Sequence, residues 1–378
     1  MNKQATISAA TQSAADTILT QLRAAGIDYF FANGGTDFPP VVEAYCRAEA
    51  EGRKVPRPIV VPHETPAVAM AHGAYLATGR MQAVMVHVNV GTANTINAVL
   101  DASRKQIPML IMAGRSPFSE KGHHGTRTRY IHWAQEMFDQ AGMVREAVKW
   151  DYELHLPDRA ADAVYRAVEI AKRSPRGPVY LTLPRDILAA RDTAATTPAP
   201  RPAMAAAPTD PTGIEQIADW LRAAEAPLII TANAGRDKTA YERLSLLADR
   251  HAIPVASYHQ RFNSIASDHP FNAGHDPMPW VGQADVIVVL ECDVPWVPAI
   301  AELGARPAAP RCTQIRQYHA LCGGQALAGK HSGLRPEGTQ GHLHMGGDRA
   351  HAPGLGRPAD RKGRPAPRRC RRGRHGRR

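Results

Sequence analysis

Residues 59–79, IVVPHETPAVAMAHGAYLATG, decide how this chain is read: a β-branched run, Ile59-Val60-Val61, meets Pro62, and after His63-Glu64 a stretch of small and apolar residues continues to Gly79. A short β-branched run bounded by Pro is a buried strand, and an Ala-rich stretch closed by Gly is a helix with its C-cap. A carboxylate at such a junction lies at the carboxyl end of a strand, where open parallel sheets bind ligands. The plainer role for Glu64 is that of a first-turn acid favoured by the helix dipole.

Working outward, the same unit repeats. Strands are predicted at 27–31, 58–61, 83–88, 108–113 and 178–183, with helices at 12–25, 37–49, 64–78, 92–104 and 158–173. Such alternation specifies a parallel sheet covered by helices on both faces. Residues 191–212 are rich in Ala, Pro and Thr with little to bury and read as a linker. A second α/β unit follows at 213–300, with helices at 213–224 and 239–251 and strands at 227–231, 253–257 and 284–290. The fold class is therefore α/β, with a parallel-sheet domain over 1–190, the linker and an incomplete second α/β domain. Residues 301–378 contain no Val, Phe or Trp but 14 Gly and 7 Pro, and are expected to be disordered because they cannot offset the entropy of folding.

The formal net charge of +11 is unevenly spread. The tail from 301 carries 17 of the 46 basic and 4 of the 35 acidic residues, which leaves the first 300 near neutral with 29 basic against 31 acidic. An Arg-rich tail attracts phosphate backbones non-specifically, but it has no interleaved aromatics or recognised binding module, so no specific nucleic-acid partner is expected. Five cysteines without CxxC spacing indicate neither a disulfide framework nor a thiolate metal site. No apolar run reaches signal-peptide or membrane-span length, so the chain reads as cytoplasmic with no membrane partner.

Taken with its neighbours, the 59–79 segment resembles the pyrimidine-binding domain of the thiamine diphosphate-dependent enzymes, the family of acetolactate synthase, benzoylformate decarboxylase and pyruvate decarboxylase. The resemblance implies that Glu64 bonds the cofactor's aminopyrimidine ring and favours its imino tautomer, whose exocyclic nitrogen removes the thiazolium C2 proton before attack on a 2-oxo acid. The segment FFANGGTDFPPVVEA at 30–44 is similar to the family's first Gly-rich turn, placing Gly34, Gly35 and Thr36 beside the cofactor, with Thr36 standing in for a serine. In VMVHVNVGTANTINAVLDASRKQIPMLIMAG, 84–114, the arrangement of His87, Gly91, Thr92 and Asn94 looks like that of benzoylformate decarboxylase. By that likeness His87 is an active-site acid or base, and Gly91 and Asn94 belong to the cofactor site. His123 and His124, in EKGHHGTRTR, resemble the histidine pair of pyruvate decarboxylases, although an exposed basic loop explains them equally. Gln135, in IHWAQEMFDQ, resembles the Phe-Gln-Glu segment of acetolactate synthases, with Ala134 in place of the aromatic.

The 213–300 unit resembles the family's central domain, which binds FAD in acetolactate synthases; only Gly235 and Arg236 hint at a dinucleotide here, and FAD is not predicted. The family's diphosphate domain holds Mg²⁺ through Gly-Asp-Gly and later Asn residues. No Gly-Asp-Gly occurs in this sequence: Gly347-Asp348 is followed by Arg349, and no Asn follows Asn272. The Mg²⁺ site is thus expected to be missing, and the tail's Arg, Gly, Pro and Ala bias suggests an out-of-frame reading from about codon 301. The resemblance implies a homodimer or tetramer in full-length relatives, and with the diphosphate domain missing the expectation is a chain inactive alone, or one that depends on a separate diphosphate-domain subunit.

Overall fold

The computed structural model describes residues 12–192, 210–297 and 311–315. Ten strands, numbered in chain order, form two sheets: β1 Tyr29–Asn33, β2 Arg57–Val60, β3 Gln82–Val86, β4 Met109–Arg115, β5 Asp151–Glu153 and β6 Pro178–Pro184 in the first, then β7 Pro227–Thr231, β8 Val255–Ser257, β9 Val286–Leu290 and β10 Arg311–Ile315 in the second. The first sheet runs β2-β1-β3-β4-β6-β5 and the second β10-β9-β7-β8, with every pairing parallel.

Alternating side chains of the first sheet feed two cores, as a sheet covered on both faces requires. Phe30, Met85, Leu110, Met112 and Leu181 pack against α1 Ala14–Ala24, α2 Pro39–Ala50 and α6 Ala160–Lys172. Their neighbours Phe31, Val84, Ile111 and Tyr180 pack against α3 Glu64–Thr78 and α4 Val88–Arg104. The second sheet repeats the scheme: Ile229, Val255 and Val288 meet α8 Pro211–Ala223 and α9 Lys238–His251, while Ile230 and Ile287 meet α10 Met278–Val281 on the other side. Short helices α5 Ile131–Ala134 and α7 Arg185–Ala189 complete the set.

Two expectations need correction, and one strand lies outside the predicted set. The helix predicted at 92–104 begins a turn earlier, at Val88, so Gly91 joins Thr92 and Asn94 on the helix, and β3, predicted to reach 88, ends at Val86. The edge strand β5 has no apolar run to announce it; it forms because the backbone of 151–153 meets the open edge of β6. The second sheet does not stop at 300, since β10 pairs with β9 and gives the strand predicted at 284–290 a neighbour on each side. The remainder of the 301–378 tail, Gly347-Asp348 included, and most of the linker lie outside the described residues.

Candidate active site

Strand order reverses between β1 and β3, and at such a switch point the carboxyl ends of neighbouring strands open a crevice for a ligand. The turn after β1, the head of α3 and the head of α4 meet there. Asn33 ties two of these together, donating from Nδ2 to the carbonyl of Val61 at 2.9 Å.

His87 caps α4 without any side-chain cap bond, which leaves its ring free for other partners. Its Nδ1 lies 2.6 Å from Oδ1 of Asp37, a separation typical of a charge-assisted bond in which the imidazole donates. The backbone N–H of Val88 donates to Oδ2 of the same carboxylate at 3.3 Å. Val88 has φ +37°, a left-handed conformation that a β-branched residue adopts only under constraint, at a cost of about 1–3 kcal/mol. The Thr92 hydroxyl secures that turn, donating to the Val88 carbonyl at 2.8 Å and accepting from the buried Tyr180. Two glycines make room for the pair. A Cβ on Gly35 would overlap the His87 ring, and one on Gly114 would overlap the Asp37 carboxylate.

Burial alone would depress the His87 pKa, but the hydrogen bond and charge of Asp37, aided by the charge of Glu64, outweigh it and hold the imidazolium above the ordinary histidine range. Across the ring, Gln135 at the end of α5 lies with Nε2 3.1 Å from His87 Nε2. In a neutral ring with its hydrogen on Nδ1, Nε2 is the acceptor and the amide donates. His132, one turn earlier, is driven the other way: burial first, then the charges of Arg185, Arg127 and Arg129, lower its pKa.

Glu64 is the first residue of α3, buried, and preceded by His63, whose Nδ1 accepts from the Thr65 N–H. Its Oε2 accepts from Asn94 Nδ2 at 3.0 Å, and Thr65 Oγ1 donates to the Asn94 carbonyl at 2.7 Å, which locks the heads of α3 and α4. Among the described residues Oε1 has no hydrogen bond.

The structure thus brings together Glu64, His87, Asn94 and Gln135 with the turn of Gly34, Gly35 and Thr36, and Thr36 lines a small cavity with Asp37, Val88, His132, Gln135 and Arg185. Gly91, in the first turn of α4, packs on Val86. His123 and His124 are not part of this cluster: both are exposed, and His124 lines a separate cavity of about 270 Å³ with Arg47, Arg185 and Arg191. Gly-rich sequence around a loop histidine pair gave no information on which wall the loop would join. Asp37 was missed by the sequence reading. An acid just before Phe38-Pro39-Pro40 resembles a helix cap, yet α2 has no side-chain cap bond and the carboxylate turns to α4 instead.

In the turn after β7, Gly235 lies so close to the Asn263 carbonyl that no Cβ fits, and Arg236 is half-buried, 3.9 Å from Glu291 and over the Phe262 ring. Among the described residues no group of three His, Cys, Asp or Glu side chains is placed to hold a metal, and none of the helices is long and apolar enough to cross a membrane.

Residues 12–143 match the family model described as thiamine pyrophosphate enzyme, N-terminal TPP binding domain. Over these residues the chain is similar to the N-terminal domain of the thiamine diphosphate-dependent enzymes. Among curated members of that family, the sulfoacetaldehyde acetyltransferase of Rhodobacter capsulatus is 27% identical over 275 residues, covering 70% of this chain and 43% of that one. The benzoylformate decarboxylase of Pseudomonas aeruginosa is 29% identical over 165 residues, 44% of this chain and 28% of that one. A solved benzoylformate decarboxylase from Polynucleobacter necessarius superposes with a TM-score of 0.66 at 20% identity, over 82% of this chain and 56% of that one, and shares the fold. The chain spans less than half the length of these curated relatives.

Proposed function

We propose that this chain contributes the pyrimidine half of a thiamine diphosphate site that acts on a 2-oxo acid, in the manner of an acetolactate synthase or a decarboxylase. The observation that carries the reading is the buried Glu64 at the crevice, one carboxylate oxygen fixed by Asn94 and the other open to a ring nitrogen. When bound, thiamine diphosphate supplies the electron sink for breaking or making a bond at the carbonyl carbon of the substrate.

The chain's own residues then have separable tasks. Glu64 orients the aminopyrimidine and holds a hydrogen bond to it through Oε1. Asn94 keeps that carboxylate from turning away. Gly34 and Gly35 allow the backbone close to the ring, and Thr36 and Gln135 face the substrate side. His87 holds and returns a proton at Nε2, and Asp37 favours its protonated form by raising its pKa. No Gly-Asp-Gly lies within these 378 residues, so on this reading contacts to the diphosphate and Mg²⁺ come from outside them.

Thiamine binding to the full chain, read by saturation-transfer NMR on the pyrimidine protons, tests this directly. Weak binding, in the millimolar range, is expected because the charge-assisted diphosphate contacts are lacking. Glu64→Gln should weaken it about tenfold, as expected for loss of a charge-assisted hydrogen bond. Equal signals from wild type and E64Q, or no transfer to the pyrimidine at all, would remove Glu64 from the role.

A further inference from the structure

We infer that Asp37 is a positioning residue that fixes His87 as the Nδ1–H tautomer and reserves Nε2 as the one ring nitrogen able to take up and return a proton. The inference deepens the role given to His87 under the proposed function and rests on that reading.

Each part of the arrangement serves the carboxylate's position. Asp37 is only 2% exposed, yet it does not cap the helix beside it. Both of its oxygens point across the switch point, one to the His87 ring and the other to the Val88 N–H. The Val88 N–H reaches Asp37 from a strained left-handed backbone, and the carboxylate fits only because position 114 has no side chain. Strain in one strand-to-helix turn and a glycine in another strand both converge on this single acid.

Chemistry follows from the tautomer. With Nδ1–H donated to Asp37, neutral His87 presents a lone pair at Nε2, where Gln135 donates to it. A proton taken up at Nε2 gives the imidazolium, whose charge the adjacent Asp37 stabilises; release of that proton restores the starting tautomer. Gln135 serves both states, since turning its amide by half a revolution replaces the donor with the Oε1 acceptor.

The charged groups around the ring agree on direction. Asp37 from the turn after β1 and Glu64 from the head of α3 favour the cation. Arg115, His132 and Arg185 line the cavity on the far side of Asp37. Arg115 is already paired with Glu136 and Glu153, and Arg185 contacts His132 Nε2 at 3.4 Å, so neither takes the Asp37 carboxylate from His87.

The test is a long-range ¹H–¹⁵N correlation on the full chain labelled at histidine, with the His87 signals identified by their loss in His87→Gln. Neutral His87 should be protonated at Nδ1 and bare at Nε2, with a titration midpoint above the ordinary value of about 6.5. Asp37→Asn, which keeps an acceptor but removes the charge, should lower that midpoint by about one pH unit or more while retaining the Nδ1–H tautomer. Asp37→Leu should remove the preference between tautomers. An Nε2–H tautomer in the wild type overturns the proposal, as does a D37N midpoint equal to that of wild type. Should the variants fail to fold, the wild-type tautomer decides by itself. None of these readouts needs bound thiamine, so a chain that shows the Asp37-dependent tautomer but gives no saturation transfer keeps the positioning role and loses the thiamine reading.

Discussion

Gly114 illustrates how a residue with no side chain can set the chemistry of one far away in sequence. It lies in β4 directly against the Asp37 carboxylate, and any Cβ there displaces that group. Gly114→Ala should cost about 1–3 kcal/mol through overpacking of a filled site and should also move the His87 titration down towards the ordinary histidine range. Gly73, inside α3, is the control: a Cβ there meets nothing within 4 Å. Gly73→Ala should be neutral or stabilising by up to about 1 kcal/mol, because alanine favours the helix. Urea midpoints of both variants, with the histidine titration of G114A, check the pair. A G114A protein as stable as wild type would mean that the turn has slack which the packing does not reveal.

At the scale of elements, the first domain is tied together at its edge by one acid. Asp16 closes a capping box with Ser13 at the start of α1, where its charge also suits the helix dipole. The same carboxylate accepts from Arg47 in the last turn of α2, at 2.6 Å, and from Arg53 beyond it, at 2.9 Å. Burial opposes ionisation of this fully buried group, but the bonds from Arg47, Ser13 and Arg53 win and hold its pKa below the ordinary range. A folded-state pKa lower than the unfolded value, about 3.9, gives stability that is fully present above that value and is lost as pH falls through the folded pKa. Asp16→Asn should therefore destabilise by about 3–5 kcal/mol at pH 7, the range for removing one partner of a buried ion pair. The gap from wild type should narrow as the pH is taken below 4. Chemical denaturation at pH 7 and pH 3 measures it, and a gap that is constant with pH would exclude the ionic explanation.

At the scale of the whole molecule, the described residues leave one helical surface uncovered. The second sheet seats on the first through polar contacts: Gln106 Nε2 donates to Asp293, and Arg261 donates to the Arg104 carbonyl at 2.7 Å. Near Glu64, by contrast, α3 is apolar around most of its circumference, so that Met70 and Leu76 remain exposed, as do Val90 and Leu100 on α4. A helix apolar on all sides is normally buried on all sides. The expected cover is a second copy of this chain. Sedimentation should find wild type self-associated at micromolar concentration, and Met70→Glu or Leu76→Glu monomeric without loss of helix. A wild type that sediments as a monomer would leave this face unexplained.

Local pattern was enough to read the parallel α/β architecture, since β-branched runs, Ala-rich helices and closing glycines are properties of neighbouring residues; α3 at 64–78 and β7 at 227–231 fall on their predicted bounds. Motif likeness likewise singled out Glu64, His87 and Asn94. What pattern could not supply was anything created by two segments meeting. The start of α4 at Val88 depends on a strained turn that the Asp37 carboxylate accepts from, and β5 and β10 exist because an open strand edge was available to them. The histidine pair at 123–124 and Gln135 both look like site residues in sequence, yet only Gln135 reaches His87, because the course of a loop is set by the surfaces on which it lands. Sequence by itself determined that the molecule is a parallel α/β protein with a carboxylate at a strand-to-helix junction. Only the tertiary structure decided that Asp37, fifty residues from His87, is that histidine's partner, since ion pairing and tautomer choice depend on distance in space and on exclusion of water.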